Sequence, residues 1–375
     1  MKNALAFLRR SDSPDYGHRL CRLRWRRAIP SDAVFDVSGD ESARETFAGA
    51  EVCLIVTDET ALPWSASRFP VPQPGRILVP STAMAAGTIA HTLRELETIA
   101  PPRDRNGHSN PADTVRPPAI CFRPSDFAAV PGETVTGLLE RLLAGVDRRQ
   151  HDSNFRAVAF EDLSQKERPE LTRHVPSRVR RLLDVGCGAG GSSAALRSRA
   201  KGLWVTGIEK DSELAARARG SLDCVIEGDA PRILEDLARG GERFDAFLFA
   251  DVLEHLEHPV ESLSRARALA ARASILVASV PNAGHLSLVR DLLLGRFDPV
   301  PAGLADVGHL RWFTRTSLSD ALEEAGWQIL SIEPWPGAAA PRRDEFLSAL
   351  SGWPDLDRES LLTYQWIAVA AAEEG

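Results

Sequence analysis

The sequence predicts an α/β protein with a doubly wound, mostly parallel seven-stranded sheet and an additional N-terminal α/β accessory domain. Three observations predict this fold. From residue 181 onward short apolar runs alternate with helical patterns, a glycine-rich stretch follows the first of these runs, and acidic residues follow several others. Alternating strands and helices are typical of parallel sheets, because parallel strands need crossover helices. A chain of 375 residues is long enough for two domains.

Composition and charge narrow the classes of partner. The chain is 43% hydrophobic with a net charge of −7 and a pI near 5.8, which argues against a nucleic-acid partner. No apolar run is long enough to span a membrane. The cysteines are odd in number and have no C-x-x-C spacing, so we expect no disulfide framework, no zinc site and a cytoplasmic location. They are Cys21, Cys53, Cys121, Cys187 and Cys224.

Four segments are predicted along the chain. Residues 1–100 form the accessory domain, with strands at 33–37, 52–56 and 76–79 and helices at 41–48 and 82–99. Residues 101–118 mix Pro with Asn, Asp, Gly and Arg, which is typical of a linker. Residues 119–180 are expected to form a connecting helical segment, which could begin with a strand at 119–122. The last part of this segment is expected to cover the cofactor. Residues 181–375 form the larger sheet.

The larger sheet is expected to contain five parallel strands followed by two more. The predicted parallel strands are 181–185, 203–209, 223–227, 244–250 and 273–280. Helical patterns lie between them, for example at 212–219 and 260–271, and an amphipathic helix is expected over 284–298. A helix at 316–325 and strands at 327–333 and 362–371 complete the sheet, with the last strand inserted antiparallel.

The glycine-rich stretch 182–191 reads as a buried strand that breaks into a loop and then a helix. Glycines permit a tight turn with positive φ and let a ligand approach bare backbone. The spacing of Gly186, Gly188 and Gly191 also satisfies G-x-G-x-x-G, so the glycines alone are ambiguous. Asp184 favours a cationic ligand, because a carboxylate beside the loop would repel a pyrophosphate and attract an ammonium group. The other alternative is a glycine turn in an ordinary α/β domain. S-adenosylmethionine carries an ammonium and a sulfonium and no phosphate, and we expect it as the cofactor.

Acidic residues also follow the next strands, where ligands of such sheets bind. Glu209 can accept both ribose hydroxyls, and Asp229 can accept from the adenine amino group while the backbone of Ala230 contacts the ring. Each acid alone is better explained as a helix cap, but four at successive strand ends form a specific signal. The predicted cofactor-binding residues are Asp184, Gly186, Cys187, Gly188, Gly190, Glu209, Lys210, Asp229, Ala230 and Asp251.

These stretches resemble class I S-adenosylmethionine-dependent methyltransferases over about residues 165–375. The resemblance is carried by LDVGCGAG at 183–190, GIE at 207–209, GD at 228–229 and FDAFLFAD at 244–251. DVLEHL at 251–256, SVPN at 279–282 and HLRWFTR at 309–315 look like one branch of that class. The branch includes ubiquinone-biosynthesis O-methyltransferases and bacterial enzymes encoded with cell-surface glycan or natural-product genes.

Three histidines are predicted near the transferred methyl group: His255, His285 and His309. Any of them could be the general base that a hydroxyl acceptor requires, because a neutral hydroxyl is a weak nucleophile. His255 could instead only pack at a helix start, and one of the other two is expected to be a structural hydrogen-bonding residue.

The resemblance to small-RNA 2′-O-methyltransferases implies an alternative, in which a divalent metal such as Mg²⁺ lowers the pKa of the substrate hydroxyls. The implied ligands are Asp251, Glu254, His255 and His309. Those enzymes have Glu where this chain has the shorter Asp251.

The expected activity is methyl transfer to a hydroxyl of a glycan precursor or small metabolite. Trp312 and Phe313 could stack on the acceptor or anchor the 303–314 insertion in the core. Three alternatives stay open: an N-methyltransferase of the same fold, a non-catalytic scaffold that binds the cofactor, and a nicotinamide-dependent oxidoreductase, which Asp184 and Asp229 disfavour.

Overall fold

The structure is a computed structural model with two compact units. It describes residues 3–8, 31, 33–37, 41–47, 50, 52–56, 62–63, 77–85, 119–122, 127, 133–144, 149–160, 166–300, 303–337, 340 and 343–372. One unit comprises Met1–Glu161 with Asp298–Gly308, and the other comprises Asp162–Phe297 with His309–Gly375. None of the helices in these described ranges is both long and apolar enough to cross a bilayer.

The N-terminal unit contains a mixed seven-stranded sheet. Its strands are β1 (Asn3–Leu8), β2 (Ala33–Val37), β3 (Val52–Val56), β4 (Leu62–Pro63), β5 (Ile77–Ala85), β6 (Ala119–Phe122) and β7 (Arg149–Phe160), and its helices are α1 (Ala43–Thr46) and α2 (Val135–Ala144). The strand order is β2-β1-β3-β6-β5-β7-β4, with β1 parallel to both of its neighbours. Apolar residues of α2 at helical spacing are buried and pack in one cluster with Phe47 and Phe122.

The C-terminal unit contains the larger predicted sheet. Its strands are β8 (Arg181–Val185), β9 (Trp204–Glu209), β10 (Cys224–Glu227), β11 (Phe244–Ala250), β12 (Ala270–Pro281), β13 (Trp327–Trp335) and β14 (Gln365–Ala372). The order is β10-β9-β8-β11-β12-β14-β13. The first five pair in parallel, while β14 is antiparallel to both β12 and β13. The predicted fold class, including the antiparallel last strand, is confirmed.

Helices connect these strands. They are α3 (Pro169–Thr172), α4 (Gly191–Arg199), α5 (Ser212–Ala218), α6 (Ala230–Arg239), α7 (Pro259–Ala268), α8 (Leu286–Leu293), α9 (Arg315–Glu324), α10 (Arg343–Ala349) and α11 (Arg358–Leu362), with a 3₁₀ turn at Leu253–His255. Successive side chains of β8 enter cores on opposite faces of the sheet: Leu183 packs with Phe247 and Trp327, and Leu182 packs with Val205. Burial on both faces explains why these strands read as continuous apolar runs.

Strand register brings the predicted acidic positions to one edge of the sheet. Asp184 pairs with Gly207 of β9 and with Leu248 of β11. Glu209 ends β9 opposite Glu227, one residue before Gly228. The carboxyl ends of β8, β9, β10 and β11 therefore meet along one edge, as the parallel arrangement requires.

Two expectations for the N-terminal half are wrong. Residues 82–85 belong to β5, which pairs with β6 and β7, so they do not begin the predicted helix 82–99. Residues 119–122 form a strand, as considered from the sequence, but residues 149–160 form a strand of the N-terminal sheet and not a part of the connecting helical segment. Strand pairing overrode the local patterns in both places. The predicted linker 101–118 lies outside the described residues, and the four predicted segment boundaries stay predictions.

Candidate functional site

The first part of the candidate site is the glycine loop, which follows β8. Gly186, Gly188 and Gly190 have φ values of 69°, 55° and 86°, a region that side chains disfavour. A Cβ at Gly186 would lie 2.5 Å from Cγ2 of Val252. Gly186 is therefore required both by its backbone conformation and by the close approach of the chain that follows β11.

The amide groups of the loop are used within the protein. The N–H groups of Gly186 and Cys187 donate to the carbonyl of Ile208, at 2.8 and 3.0 Å. The N–H of Gly188 donates to Oε2 of Glu209 at 2.8 Å. A phosphate-binding loop needs such amides free for the ligand. These three amides are therefore not available to a pyrophosphate, which disfavours the nicotinamide-dependent alternative.

Asp184 lies buried beneath the loop. Its Oδ2 accepts a hydrogen bond of 2.6 Å from Oγ of Ser193 in α4. Burial raises the pKa of Asp184 to about 6, with the charge of Glu209 adding to the rise and the Ser193 hydrogen bond opposing it. A nearby cation would stabilise the ionised form of this buried carboxylate, so the position suits an ammonium-bearing ligand.

Glu209 is fixed by backbone amides on both sides of its carboxylate. Oε2 accepts from Gly188 and Oε1 accepts from Asp211 at 2.9 Å. Each oxygen keeps a second lone pair, which leaves the carboxylate able to accept a pair of vicinal hydroxyls. The side chain is buried, and its orientation is therefore set before any ligand binds.

Asp229 occupies the N-cap position of α6 but makes no side-chain capping hydrogen bond. The explanation of this acid as a helix cap therefore does not hold here, and its exposed carboxylate can serve a ligand. Ala230 is buried at the start of α6, and Lys210 is exposed. The side chain of Cys187 packs where a Cβ on Gly207 would lie, 2.6 Å from its Sγ, so Cys187 offers a ligand only its backbone.

The side chain of Asp251 accepts hydrogen bonds from three other side chains. Its Oδ2 accepts from Nη1 of Arg168 at 2.6 Å, and its Oδ1 accepts from Ser279 Oγ at 2.6 Å and Gln365 Nε2 at 2.8 Å. Burial would raise the pKa of Asp251, but the Arg168 charge and these hydrogen bonds hold it below its usual value. Asp251 is not among the described side chains whose ligand atoms converge, and its role as a metal ligand stays a prediction.

Glu254, His255 and His309 converge beside this network. Each offers a ligand atom, and these atoms lie within 4.8 Å of one another. The two imidazole rings are 4.9 Å apart between centroids. The approach is fixed by the backbone, because the N–H groups of Leu310 and Arg311 donate to the carbonyl of Glu254 at 2.8 and 3.0 Å. Glu254 is buried while both histidines are partly exposed, so the group can meet a ligand through its imidazoles.

His285 is placed differently from the other two histidines. It is buried in the N-cap position of α8, and its Nδ1 accepts from the N–H of Ser287 at 3.3 Å. Its ring contacts Tyr364 edge to face. This is the geometry of a structural hydrogen-bonding residue and does not favour the proton-accepting role considered for it.

The two aromatic residues of the insertion have separate roles. Phe313 is buried in the main core, so it anchors the segment. Trp312 is 39% exposed and contacts the rings of Phe297 and His309, with centroids 5.1 and 5.6 Å apart. Trp312 therefore forms a wall next to the histidine pair that an apolar or planar group could contact.

Four residues of the site were missed from the sequence: Arg168, Ser193, Ser279 and Gln365. Their contacts with Asp184 or Asp251 span from 9 to 114 residues of chain. Only Ser193 follows a local signal, since it lies in the first turn of the helix after the glycine loop. Asn282 of the SVPN stretch is structural: its Nδ2 donates to the carbonyls of Ser360 and Thr363, each at 2.8 Å.

Comparisons with known proteins found a family model and a curated relative that are similar to this chain. A family model described as a methyltransferase domain matches residues 149–332. The ubiquinone biosynthesis O-methyltransferase of Cereibacter sphaeroides is 26% identical over 159 residues, which are 42% of this chain and 64% of the relative. The match thus spans less than two thirds of that relative's length.

The solved structures to which this chain is similar include two that are named as methyltransferases. An S-adenosylmethionine-dependent methyltransferase from Archaeoglobus fulgidus is 21% identical with a TM-score of 0.41, covering 54% of this chain and 91% of its own. Magnesium protoporphyrin IX methyltransferase from Synechocystis, solved with bound S-adenosylhomocysteine, is 18% identical with a TM-score of 0.34, covering 51% and 74% of the two chains.

Proposed function

We propose that this chain, whose C-terminal unit is a class I S-adenosylmethionine-dependent methyltransferase domain, transfers a methyl group to a hydroxyl of a glycan precursor or other small metabolite. S-adenosylmethionine supplies an electrophilic methyl group on a sulfonium. The protein must hold the acceptor oxygen in line with that methyl group, which is mainly a matter of positioning. It must also remove the proton of the hydroxyl.

Each of three acidic residues is proposed to bind a different part of S-adenosylmethionine. Asp184 provides the carboxylate for the ammonium group, and Glu209 accepts from the two ribose hydroxyls. Asp229 accepts from the adenine amino group. Support for this division comes from the burial of Asp184, from the oriented carboxylate of Glu209 and from the uncommitted N-cap side chain of Asp229. The amides of Gly186, Cys187 and Gly188 are occupied, which fits a ligand without phosphates.

The convergence of Glu254, His255 and His309 is the observation that carries the proposal of O-methylation. A hydroxyl needs a proton acceptor or a metal, whereas a free amine is already nucleophilic when neutral. An imidazole is the side chain best suited to accept a proton near neutral pH. His255 and His309 are partly exposed and are the proposed proton acceptors. The name of the curated relative, an O-methyltransferase, adds support.

The same three side chains would fit a divalent metal. One carboxylate oxygen and two imidazole nitrogens form a donor set that suits Mn²⁺, Fe²⁺, Co²⁺ or Zn²⁺ better than the Mg²⁺ expected from the sequence, because Mg²⁺ prefers oxygen ligands. A metal held there would lower the pKa of the acceptor hydroxyl.

The test uses the purified full chain with radiolabelled S-adenosylmethionine and two acceptor panels. One panel holds hydroxyl acceptors (catechols, hydroxybenzoates and nucleotide sugars), and the other holds primary amines and imidazoles. We expect label transfer to a member of the hydroxyl panel. Replacing both His255 and His309 by Ala is expected to reduce transfer about 10²–10⁴-fold, while the exposed His258→Ala serves as the matched control.

Two results would contradict the proposal. Transfer only to amines, with little loss in the double histidine variant, would favour an N-methyltransferase. Binding of S-adenosylmethionine by calorimetry with no turnover on either panel would favour a scaffold that binds the cofactor without transferring it.

A further inference from the structure

Arg168 connects the segment that precedes β8 to the edge of the sheet where the parallel strands end. Arg168 precedes α3, and its backbone N–H donates to Oγ of Ser192 at 3.1 Å, in the helix that follows the glycine loop. Its side chain reaches Asp251 at the end of β11 and Gln365 at the start of β14. Arg168 therefore contacts three elements that border the candidate site.

Every nitrogen of the Arg168 guanidinium is engaged. Nη1 donates to Asp251 at 2.6 Å, Nη2 donates to Oε1 of Gln365 at 2.8 Å, and Nε donates to Glu170. The planar fork of an arginine can serve three partners in fixed directions, which a lysine cannot do. The side chains of Arg168 and Asp251 are 19% and 29% exposed, so their contact is partly shielded from solvent.

The network holds Asp251 in an unfavourable backbone conformation. Its φ is 56°, in the left-handed region that residues other than glycine adopt infrequently. The Asp251 N–H donates to the carbonyl and Oγ of Ser279, at 3.2 and 3.1 Å. Together with the side-chain hydrogen bonds to Arg168 and Gln365, these contacts determine the conformation.

That conformation directs the chain after β11 to two parts of the site. Val252 packs on Gly186, where a Cβ would meet Val252 Cγ2 at 2.5 Å. The next three residues form the 3₁₀ turn that contains Glu254 and His255. Asp251 therefore directly precedes both the residue that contacts the glycine loop and the turn that contains Glu254 and His255.

We propose that Arg168 is a positioning residue for methyl transfer, which acts by holding Asp251 in the left-handed conformation. The inference rests on the proposed function in one respect, namely that S-adenosylmethionine occupies the glycine loop. Arg168 does not need to touch the reacting atoms. Its effect passes through Asp251 to Val252 and the glycine loop on one side, and to the 3₁₀ turn on the other.

Arg168 also sets the charge next to the cofactor. One guanidinium serves two carboxylates, Asp251 and Glu170, so one negative charge is left over. Because Leu248 is level with Asp184 in the sheet, Asp251 lies beside the start of the glycine loop. The excess negative charge favours S-adenosylmethionine, with its sulfonium, over S-adenosylhomocysteine, whose sulfur is neutral.

The test measures the affinities of S-adenosylmethionine and S-adenosylhomocysteine by calorimetry, and it requires no acceptor. Arg168→Met removes the fork and the charge, whereas Arg168→Lys keeps the charge and loses the fork. Arg173→Met is the matched control, because Arg173 lies in the same segment in an exposed ion pair with Glu333. A urea titration of each variant reports its stability.

We expect Arg168→Lys to weaken both ligands about tenfold and equally, since misplacement costs binding while the charge is kept. Arg168→Met is expected to weaken S-adenosylhomocysteine about threefold more than S-adenosylmethionine, because the uncovered carboxylates attract the sulfonium. Arg173→Met should leave both affinities within about twofold.

Two outcomes overturn the inference while the wild type binds S-adenosylmethionine: affinities of a folded Arg168→Lys variant that stay within twofold of wild type, or an unchanged ratio of the two affinities in Arg168→Met. If Arg168→Met does not fold, the double variant Arg168→Met/Asp251→Asn replaces it, and equal affinities in that variant and the wild type overturn the inference. A wild type that does not bind S-adenosylmethionine contradicts the proposed function instead.

Discussion

Val252 packs directly against the Cα of Gly186, so that the turn after β11 and the loop after β8 are in contact without an intervening side chain. Two parts of the site that are distant in the sequence thereby share one position. The contact is possible because Gly186 has no Cβ and because Asp251 re-aims the chain just before Val252.

Gly186→Ala is expected to weaken S-adenosylmethionine binding at least about tenfold and to lower the free energy of unfolding by about 1–3 kcal/mol. The alanine must adopt a φ of 69° and displace Val252. Calorimetry and urea denaturation measure the two effects. The control is Gly202→Ala, which has a φ of 80° but no atom within 4 Å of the added Cβ. Equal effects of the two substitutions on ligand affinity would contradict this account.

Glu209→Gln is expected to raise the dissociation constant of S-adenosylmethionine about 10-fold or more and to cost about 1–3 kcal/mol of stability. The carboxylate accepts from Gly188 and Asp211 through its two oxygens. The amide NH₂ of a glutamine cannot accept, so one backbone N–H loses its partner. Calorimetric titration provides the measurement. Glu213→Gln, at an exposed position of α5, should change neither quantity, and an unaltered affinity in Glu209→Gln would exclude the assigned role.

The ionisation of Asp184 predicts that cofactor affinity depends on pH. Its pKa of about 6 lies above the ordinary value of 3.8, so the folded protein binds a proton more tightly than the unfolded chain between these values. The contribution of Asp184 to stability therefore falls as pH rises through that window. A cationic ammonium prefers the ionised carboxylate, so we expect S-adenosylmethionine to bind about tenfold more tightly at pH 7 than at pH 5.

The Asp184→Asn variant provides the control for this pH dependence. The asparagine carbonyl can still accept from Ser193, whose hydroxyl lies 2.6 Å from Oδ2 in the wild type. Calorimetric affinities of the variant should be weaker and nearly independent of pH between about 5 and 7. A slope as steep as that of the wild type would assign the titration to a different group.

The sequence predicted those features that depend on neighbouring residues. Asp184, Glu209 and Asp229 were identified because each follows an apolar run, and parallel pairing brings such positions to one edge. The engagement of Asp251 was not predictable, since its partners Arg168 and Gln365 lie 83 and 114 residues away. No local pattern reports hydrogen bonds across such separations.

The roles of the histidines were likewise predictable only where they depend on neighbouring residues in the sequence. His285 directly precedes an apolar helical pattern, and its position at the start of α8 could have indicated an N-cap. The closeness of His255 to His309 depends on the Leu310 and Arg311 amides that bind the carbonyl of Glu254. Backbone contacts of this kind leave no signature in residue type. Strand β7 was missed because its residues are largely polar and its pairing with β5 carries the assignment.

The histidine pair yields a final prediction, which concerns metal binding. If Glu254, His255 and His309 form a metal site, the purified chain will bind one equivalent of Mn²⁺ or Zn²⁺ more tightly than Mg²⁺. Elemental analysis of the purified protein measures the bound metal, and calorimetric titration of the chelator-treated protein measures the affinity for each metal. His309→Ala should abolish the tight site, while His258→Ala, exposed and outside the group, should retain it. Cofactor affinity should not change on chelation, because Asp184, Glu209 and Asp229 are not in the metal donor set. Methyl transfer that persists unchanged after chelation, with no metal found in the protein, would leave His255 and His309 as metal-free proton acceptors.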